Sequence, residues 1–399
     1  MTWLHRFGLA ALGLGLALLS LELGLRLLYP DVRIIDRHDR LGSLGRPNLD
    51  VRKTFGGHER VVRITTNAFG LRGLSMPDGR APGVGRVLAL GDSFTFGAAV
   101  EAEEAWPARL EGFLNRGRAG RRWEVVNAGI PGHGTGQQLL LYRMLEDRLR
   151  PDVVVLGLTV VNDLLDNLCI EEAIYAPKST VPCFTLEGDD LRVTGPASAA
   201  TVPRAQASPW LPRLRVADFF TAQARRLTVG NPKLLELAGW SGMTVDLPYV
   251  PATVASWYDP RYVEPGWRLT QRIVLELRAE LDARGVRLVL LVIPAALQAD
   301  VGLQAALRIL GHRHTPVQAF LADPARPQRL VAEFCRAIAL ECLDALPGVL
   351  ELERRGARTY YAIDNHWTPV GHAMAAELIA RRLGERALAD PVRTVGAAR

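Results

Sequence analysis

Arg86-Val87-Leu88-Ala89-Leu90-Gly91-Asp92-Ser93-Phe94-Thr95-Phe96-Gly97 is the stretch on which the reading of the fold turns. Its first half is a short apolar run that stops at a glycine. A run with little alternation suits a strand covered on both faces, as in a parallel sheet. Its second half reads as a tight turn leading towards a helix, and the glycine lets the chain turn closely. Ser93 then lies at the carboxyl end of the strand, where open α/β sheets place their ligands. Taken alone, Gly-Asp-Ser is a common tripeptide, and the plain alternative is that Ser93 caps the structure that follows.

The same rhythm continues outward. Trp106 to Leu114 predicts a helix, with Leu110, Phe113 and Leu114 on one side. Trp123 to Ala128 predicts a strand, Gln137 to Leu149 a helix, and Asp152 to Leu158 a third strand with continuous apolar character. A long helix over Leu269–Ala283 leads to a strand at Val286–Ile293. A last strand at Glu341–Leu346 precedes a closing amphipathic helix at Ala373–Leu388. Five strands alternating with helices predict a flavodoxin-like three-layer α/β/α domain with a five-stranded parallel sheet. We place it at 86–390. Residues 164–265 form a long insertion, rich in Pro and Trp, that reads as a lid. Residues 295–328 read as a second irregular stretch. Residues 31–85 read as an N-terminal extension, with one strand at Val61–Thr66 and a turn at Asn67–Gly70.

Three further places carry candidate chemistry. Asn127-Ala128-Gly129-Ile130-Pro131-Gly132 ends the second strand and can expose a backbone N–H towards the crevice; a simple turn is the alternative. Asn162, in Val161-Asn162-Asp163, follows the third strand; its amide can donate to an oxyanion, or it can cap a helix. Asp364-Asn365-His366-Trp367-Thr368-Pro369 precedes the last helix. His366 can act as a base for Ser93 while Asp364 holds its other nitrogen, and helix capping is the alternative.

Together these blocks resemble the SGNH/GDSL hydrolase superfamily over roughly 86–388, the insertion excepted. The resemblance implies a catalytic triad of Ser93, His366 and Asp364. It implies an oxyanion hole made by the Ser93 N–H, the Gly132 N–H and the Asn162 amide. Two departures stand out. Phe94 replaces the usual leucine, and Asp364-Asn365-His366 is shorter than the usual Asp-x-x-His. The shorter block, with Trp-Thr after it, is similar to relatives of the alginate O-acetyltransferases, which modify exopolysaccharides. Thr66-Asn67-Ala68-Phe69-Gly70-Leu71-Arg72-Gly73 is similar to a segment that precedes the Gly-Asp-Ser block in many anchored SGNH proteins.

The resemblance implies a serine esterase acting on O-acyl groups, with a carbohydrate or cell-envelope substrate. An O-acyltransferase for a surface polysaccharide and a silent glycan-binding protein are the other readings. No cofactor is implied. His312 and His314 lack a third ligand, so no metal is assigned. His133 is a candidate pocket residue, and His372 reads as packing. Asp163 and Asn167 are candidates to orient Asn162. Trp210, Trp240, Trp257, Tyr258 and Tyr262 can stack on sugar rings or form the core of the insertion.

The bulk composition narrows the field further. The chain has 399 residues, 48% hydrophobic and 23% charged, with a net charge of +6. The positive charge is scattered arginine, and Lys53, Lys178 and Lys233 are the only lysines. With no basic block, a nucleic-acid partner is not expected. Residues 1–30 form the clearest compositional break. From Phe7 to Leu21 there is no charge, and apolar character continues to Leu28 around Glu22 and Arg26, which a helix would pair at i and i+4. The length suits a membrane-spanning helix; a cleaved signal segment and a buried hydrophobic helix are the alternatives. The flanking charges do not orient it. The expected location is membrane-anchored, with the catalytic domain periplasmic or on the cell surface. Cys169 with Cys183, and Cys335 with Cys342, form two local pairs that suit an oxidising compartment; four buried thiols are the alternative.

Overall fold

The computed structural model describes residues 3–30, 32–55, 60–73, 81–116, 121–168, 182–194, 216, 219–220, 223, 254, 256–310, 315–362 and 364–389. The chain opens with helix α1 (Trp3–Leu28). Its span His5–Leu28 is long and apolar enough to cross a membrane, and little of it is buried. Glu22 and Arg26 pair across one turn at 2.7 Å, as their spacing predicts.

Two antiparallel hairpins follow. Strands β1 (Ile35–His38) and β2 (Gly42–Gly45) form one, and β3 (Asp50–Phe55) and β4 (Arg60–Thr65) the other. The sequence predicts only the last of these strands. The others are polar and only partly covered, so they lack the full alternation that marks a strand with one buried face.

The central sheet holds β5 (Gly85–Gly91), β6 (Trp123–Gly129), β7 (Val153–Thr159), β10 (Arg287–Ile293) and β11 (Glu341–Asp344). Its spatial order is β6-β5-β7-β10-β11, with every pairing parallel. Val87 sits between Val125 and Val153, and Leu290 between Leu156 and Cys342. Every residue of β5 and β7 is buried, which accounts for their unbroken apolar character. Counted along the chain the order is 2-1-3-4-5, the flavodoxin-like winding. The winding direction reverses between β5 and β7, and a crevice opens there at the carboxyl ends.

Helices cover both faces. On one, α3 (Trp106–Asn115) packs against the C-terminal helix α12 (Pro369–Ala389). On the other, α4 (Thr135–Leu149) packs against α6 (Pro260–Ala283). Short helices α2 (Ser93–Phe96) and α5 (Asp163–Asn167) start directly after β5 and shortly after β7. Helix α6 begins nine residues before the predicted 269. Asp259 caps it by accepting the Arg261 N–H at 3.0 Å, and Pro260 occupies its first position, where a missing N–H costs nothing.

Residues 295–328 are largely helical rather than irregular. Helices α7 (Ala296–Ala299), α8 (Val301–Leu310), α9 (Thr315–Ala322) and the start of α10 (Arg326–Ala337) occupy them. Pro316 and Pro327 sit at helix starts, although in the bare sequence they look like loop punctuation. Cys335 at the end of α10 is disulfide-bonded to Cys342 in β11, with their Cα atoms 6.2 Å apart. Cys183 is also disulfide-bonded, and Cys169 lies outside the described residues. After β11, α11 (Leu346–Arg354) leads to the loop before α12.

Much of the stretch read as a lid lies outside the described residues, Trp210 and Trp240 among them. Its described part includes the hairpin β8 (Cys183–Glu187) and β9 (Asp190–Thr194). Trp257 is fully buried and donates its indole N–H to the Val160 carbonyl at 2.7 Å, so it is core and no sugar platform. Tyr258 is likewise buried, and its hydroxyl donates to the Asp323 carbonyl at 2.7 Å.

Candidate active site

Ser93 is the first residue of α2, immediately beyond β5. The cap of that helix is Asp92, whose Oδ1 accepts the Phe94 N–H at 2.9 Å, so capping leaves the serine hydroxyl unused. A Cβ at Gly91 would fall 2.0 Å from the Thr95 hydroxyl, so this turn closes only around a glycine. Between Gly91 and Val100, Ser93 alone is partly exposed. Burial pushes Asp92 up to about 6, opposed by the Phe94 N–H and by nearby His366.

The loop before α12 brings His366 to this serine. The Tyr361 N–H donates to the His366 carbonyl at 2.9 Å, and the Asn365 N–H donates to the Tyr361 carbonyl at 3.2 Å. These bonds close a small loop, with Asn365 in the left-handed region at φ +58°. His366 Nε2 lies 2.7 Å from Ser93 Oγ. Its Nδ1 lies 3.2 Å from Asp364 Oδ2, within ion-pair reach but off the line of a good hydrogen bond. Burial disfavours the imidazolium, yet the Asp364 and Asp92 carboxylates outweigh it and hold His366 above its ordinary value. Phe94, the departure from the usual leucine, supports this loop. Its ring lies 5.0 Å from the His366 ring, and meets Trp367 edge-on at 5.3 Å.

Gly132 and Asn162 follow the strands on either side of β5. The Ile130 N–H donates to the Gly91 carbonyl at 3.0 Å, which keeps the β6 loop beside the serine turn. Gly132 is exposed and sits at φ +82°, a conformation that favours glycine, with open space where a Cβ would be. His133 turns the other way. Its Nε2 lies 2.9 Å from the Ser43 carbonyl, and burial holds the ring down at about 4, so it packs as a neutral imidazole.

Asn162 makes no side-chain cap to α5. Its amide instead donates to Asp166 Oδ2 at 2.5 Å in a buried contact. The two residues expected to orient it are engaged elsewhere. Asp163 Oδ2 accepts the Thr159 N–H at 2.9 Å, and burial together with Asp92 pushes the Asp163 carboxyl well above the ordinary range. Asn167 donates to the Thr135 and Thr270 hydroxyls at 2.5 and 2.8 Å, tying α4 to α6. Asp166 is therefore the orienting residue that the sequence reading missed, although its place four residues after Asn162 is a usable signal on a helix. His372 accepts the Trp106 N–H at 3.2 Å and packs edge-on against Trp367, a structural role.

A hydroxyl bonded to an imidazole beside a carboxylate is an arrangement that can make the hydroxyl nucleophilic. Among the described residues, no cluster of three His, Cys, Asp or Glu side chains is placed to hold a metal ion. His312 and His314 lie outside the described residues.

No curated protein matches the chain. Solved structures overlap it loosely. A catalytic mutant of Axe2, an acetylxylan esterase from Geobacillus stearothermophilus, is 13% identical, with 78% of this chain and 97% of that one covered at a TM-score of 0.36. A GDSL-like lipase from Bacteroides thetaiotaomicron is 11% identical, with 78% and 93% covered at a TM-score of 0.35. The family model described as "SGNH hydrolase-like domain, acetyltransferase AlgX" matches residues 256–395. The model of the GDSL-like lipase/acylhydrolase family matches residues 89–307, more than half of the chain, and this protein belongs to that family.

Proposed function

We propose that the protein is a serine-dependent hydrolase of O-acyl esters, with an acylated carbohydrate of the cell envelope as its substrate. The observation that carries this reading is the 2.7 Å contact between His366 Nε2 and Ser93 Oγ, at the point where the winding of the sheet reverses. Ser93 Oγ attacks the ester carbonyl, and His366 takes its proton. Asp364 stabilises the imidazolium. The Ser93 and Gly132 N–H groups and the Asn162 amide receive the oxyanion. Collapse of the tetrahedral intermediate breaks the acyl–oxygen bond, and His366 returns the proton to the departing alcohol. Water then attacks the acyl-serine with His366 as base, which releases the acid and restores the Ser93 hydroxyl.

The match to the AlgX-type domain favours a second reading, in which a sugar hydroxyl replaces water and the acyl group is transferred. The steps are otherwise the same. The membrane-length helix α1 and the disulfide pairing support an anchored enzyme whose catalytic domain faces an oxidising, extracytoplasmic compartment.

The test is release of p-nitrophenol from p-nitrophenyl acetate by the wild type and by Ser93→Ala. We expect steady turnover that is lost in the variant. Equal background rates would remove the general esterase reading. A rate that rises with added oligosaccharide, with acetylated sugar as product, would select transfer over hydrolysis.

A further inference from the structure

The segment Thr66–Gly73 takes no part in the chemistry above, yet it is built against it. Asn67 Oδ1 accepts the Phe69 and Leu71 N–H groups at 2.9 and 3.1 Å, which shapes the turn. Leu71 enters the core and Arg72 follows it inward, 5% exposed. The Arg72 guanidinium lies over the Phe96 ring at 4.7 Å. It donates to the Val100 carbonyl at 2.9 Å, to Gly97 at 3.4 Å and to Arg63 at 3.3 Å. Burial lowers its pKa to about 10, although the charges of Glu101 and Glu103 favour the cation. A buried cation of this kind is costly where an apolar side chain would fill the space. What the guanidinium adds is a grip on the chain leaving the Ser93 helix.

The segment 97–100 is held a second time. The Tyr361 hydroxyl donates to the Ala99 carbonyl at 3.1 Å and accepts from Arg60 Nη1 at 3.0 Å. Arg60 is fixed in turn by Glu104, 2.7 Å from its Nη2. Ala99 sits at φ +63°, a conformation that an alanine keeps only when its surroundings impose it. Through its backbone, Tyr361 also closes the loop that presents His366. Residues 97–100 thus receive the histidine loop through Tyr361 and the N-terminal strands through Arg72, while Arg60 joins the two.

From this juxtaposition we infer that the N-terminal strands are part of the catalytic apparatus: Arg72, and Arg60 acting through the Tyr361 hydroxyl, are positioning residues that set the distance between Ser93 and His366. The inference rests on the reading of these two as nucleophile and base. It also gives the Thr66–Gly73 segment a purpose, namely to deliver Arg72 to the serine turn.

The test uses the full-length protein in detergent. Tyr361→Phe removes one hydroxyl, and Arg60→Gln removes the charge that it accepts from. Each is expected to lower kcat by about tenfold with KM nearly unchanged, since misplacement of a reacting group by a fraction of an ångström suffices for this. The double variant is expected to be no slower than the slower single one, because both act through one hydroxyl. The rate of Ser93 labelling by a fluorophosphonate should fall in parallel with kcat. In that reaction Ser93 Oγ displaces fluoride from phosphorus and gives its proton to His366, so it reads the serine–histidine geometry without substrate binding. Arg72→Met tests the other arm; if it fails to fold, the Tyr361 and Arg60 pair still decides. Unchanged kcat and labelling in both single variants would overturn the inference. Strictly additive losses would also overturn it, as would losses matched by a collapse of the melting temperature. Failure of the wild type to label at Ser93 would instead overturn the nucleophile reading, and the inference with it.

Discussion

Asn162 offers its amide to Asp166 instead of capping the helix that it precedes. One amide hydrogen is engaged by a buried carboxylate, which fixes the plane of the group; in the proposed mechanism the second hydrogen meets the oxyanion. Removing a donor of this kind typically costs ~3 kcal/mol in the transition state, or roughly a 100-fold loss of turnover. Asn162→Ala should therefore lower kcat on p-nitrophenyl acetate by that order, with an unchanged circular dichroism spectrum. Near-full activity would take Asn162 out of the mechanism. His366 yields a second expectation at this scale. Burial lowers its affinity for a proton, but Asp364 and Asp92 raise it further, for a net upward shift. In the proposed mechanism the neutral ring is the base, so activity should fall as pH drops through a midpoint above about 6.5, the ordinary value for histidine. A kcat/KM profile flat from pH 8 down to 5.5 would contradict the assignment of His366 as base. Ser93, Asn162, Asp364 and His366 stand out as candidates in the sequence because each lies in a short block at a strand end or before a helix. Asp166 does not, because its role depends on knowing that α5 is helical and buried. Tyr361 and Arg60 were not legible either: 301 positions separate them, and neither carries a local pattern.

At the scale of elements, legibility followed coverage. The strands buried on both faces, β5 and β7, announce themselves as unbroken apolar runs, and their boundaries match the predicted ones within about a residue. The long helices were also found, although α6 and α12 begin earlier than their apolar pattern does, at Pro260 and Pro369. In both cases the proline is the first helical residue, which a breaker rule misreads. Helices α7 to α9 were missed because each is at most ten residues long, too short for a period of 3.6 to repeat convincingly. The strands β1, β2 and β3 were missed for another reason. They lie on the outside of the domain, so their pattern is set by what they hold rather than by what they bury. The His133 ring meets the Ser43 carbonyl of β2, and Arg60 of β4 meets Tyr361. Long-range pairings of this kind leave little trace in any single window of sequence.

At the scale of the whole molecule, α1 stands apart from the folded domain. Its leucines at 9, 12, 14, 16, 18 and 19 are all exposed, whereas a core helix of this composition would be covered. At 1.5 Å per residue its 24-residue apolar span reaches about 36 Å, enough for a hydrocarbon core of ~30 Å. Its last turns touch the rest of the protein. Leu25 is buried, and Glu22 accepts the Val216 N–H at 2.9 Å while pairing with Arg26. This pattern fits an anchor whose C-terminal end emerges from the membrane and rests on the catalytic domain. In the anchored enzyme proposed above, the Glu22 contact persists in the mature protein. The native protein should therefore sediment with membranes, resist extraction by high salt or carbonate, and dissolve in mild detergent. Its intact mass should retain residues 3–28. A mature chain that lacks this helix and appears in the soluble extracytoplasmic fraction would identify α1 as a signal segment. The Glu22 contact would then belong only to the precursor.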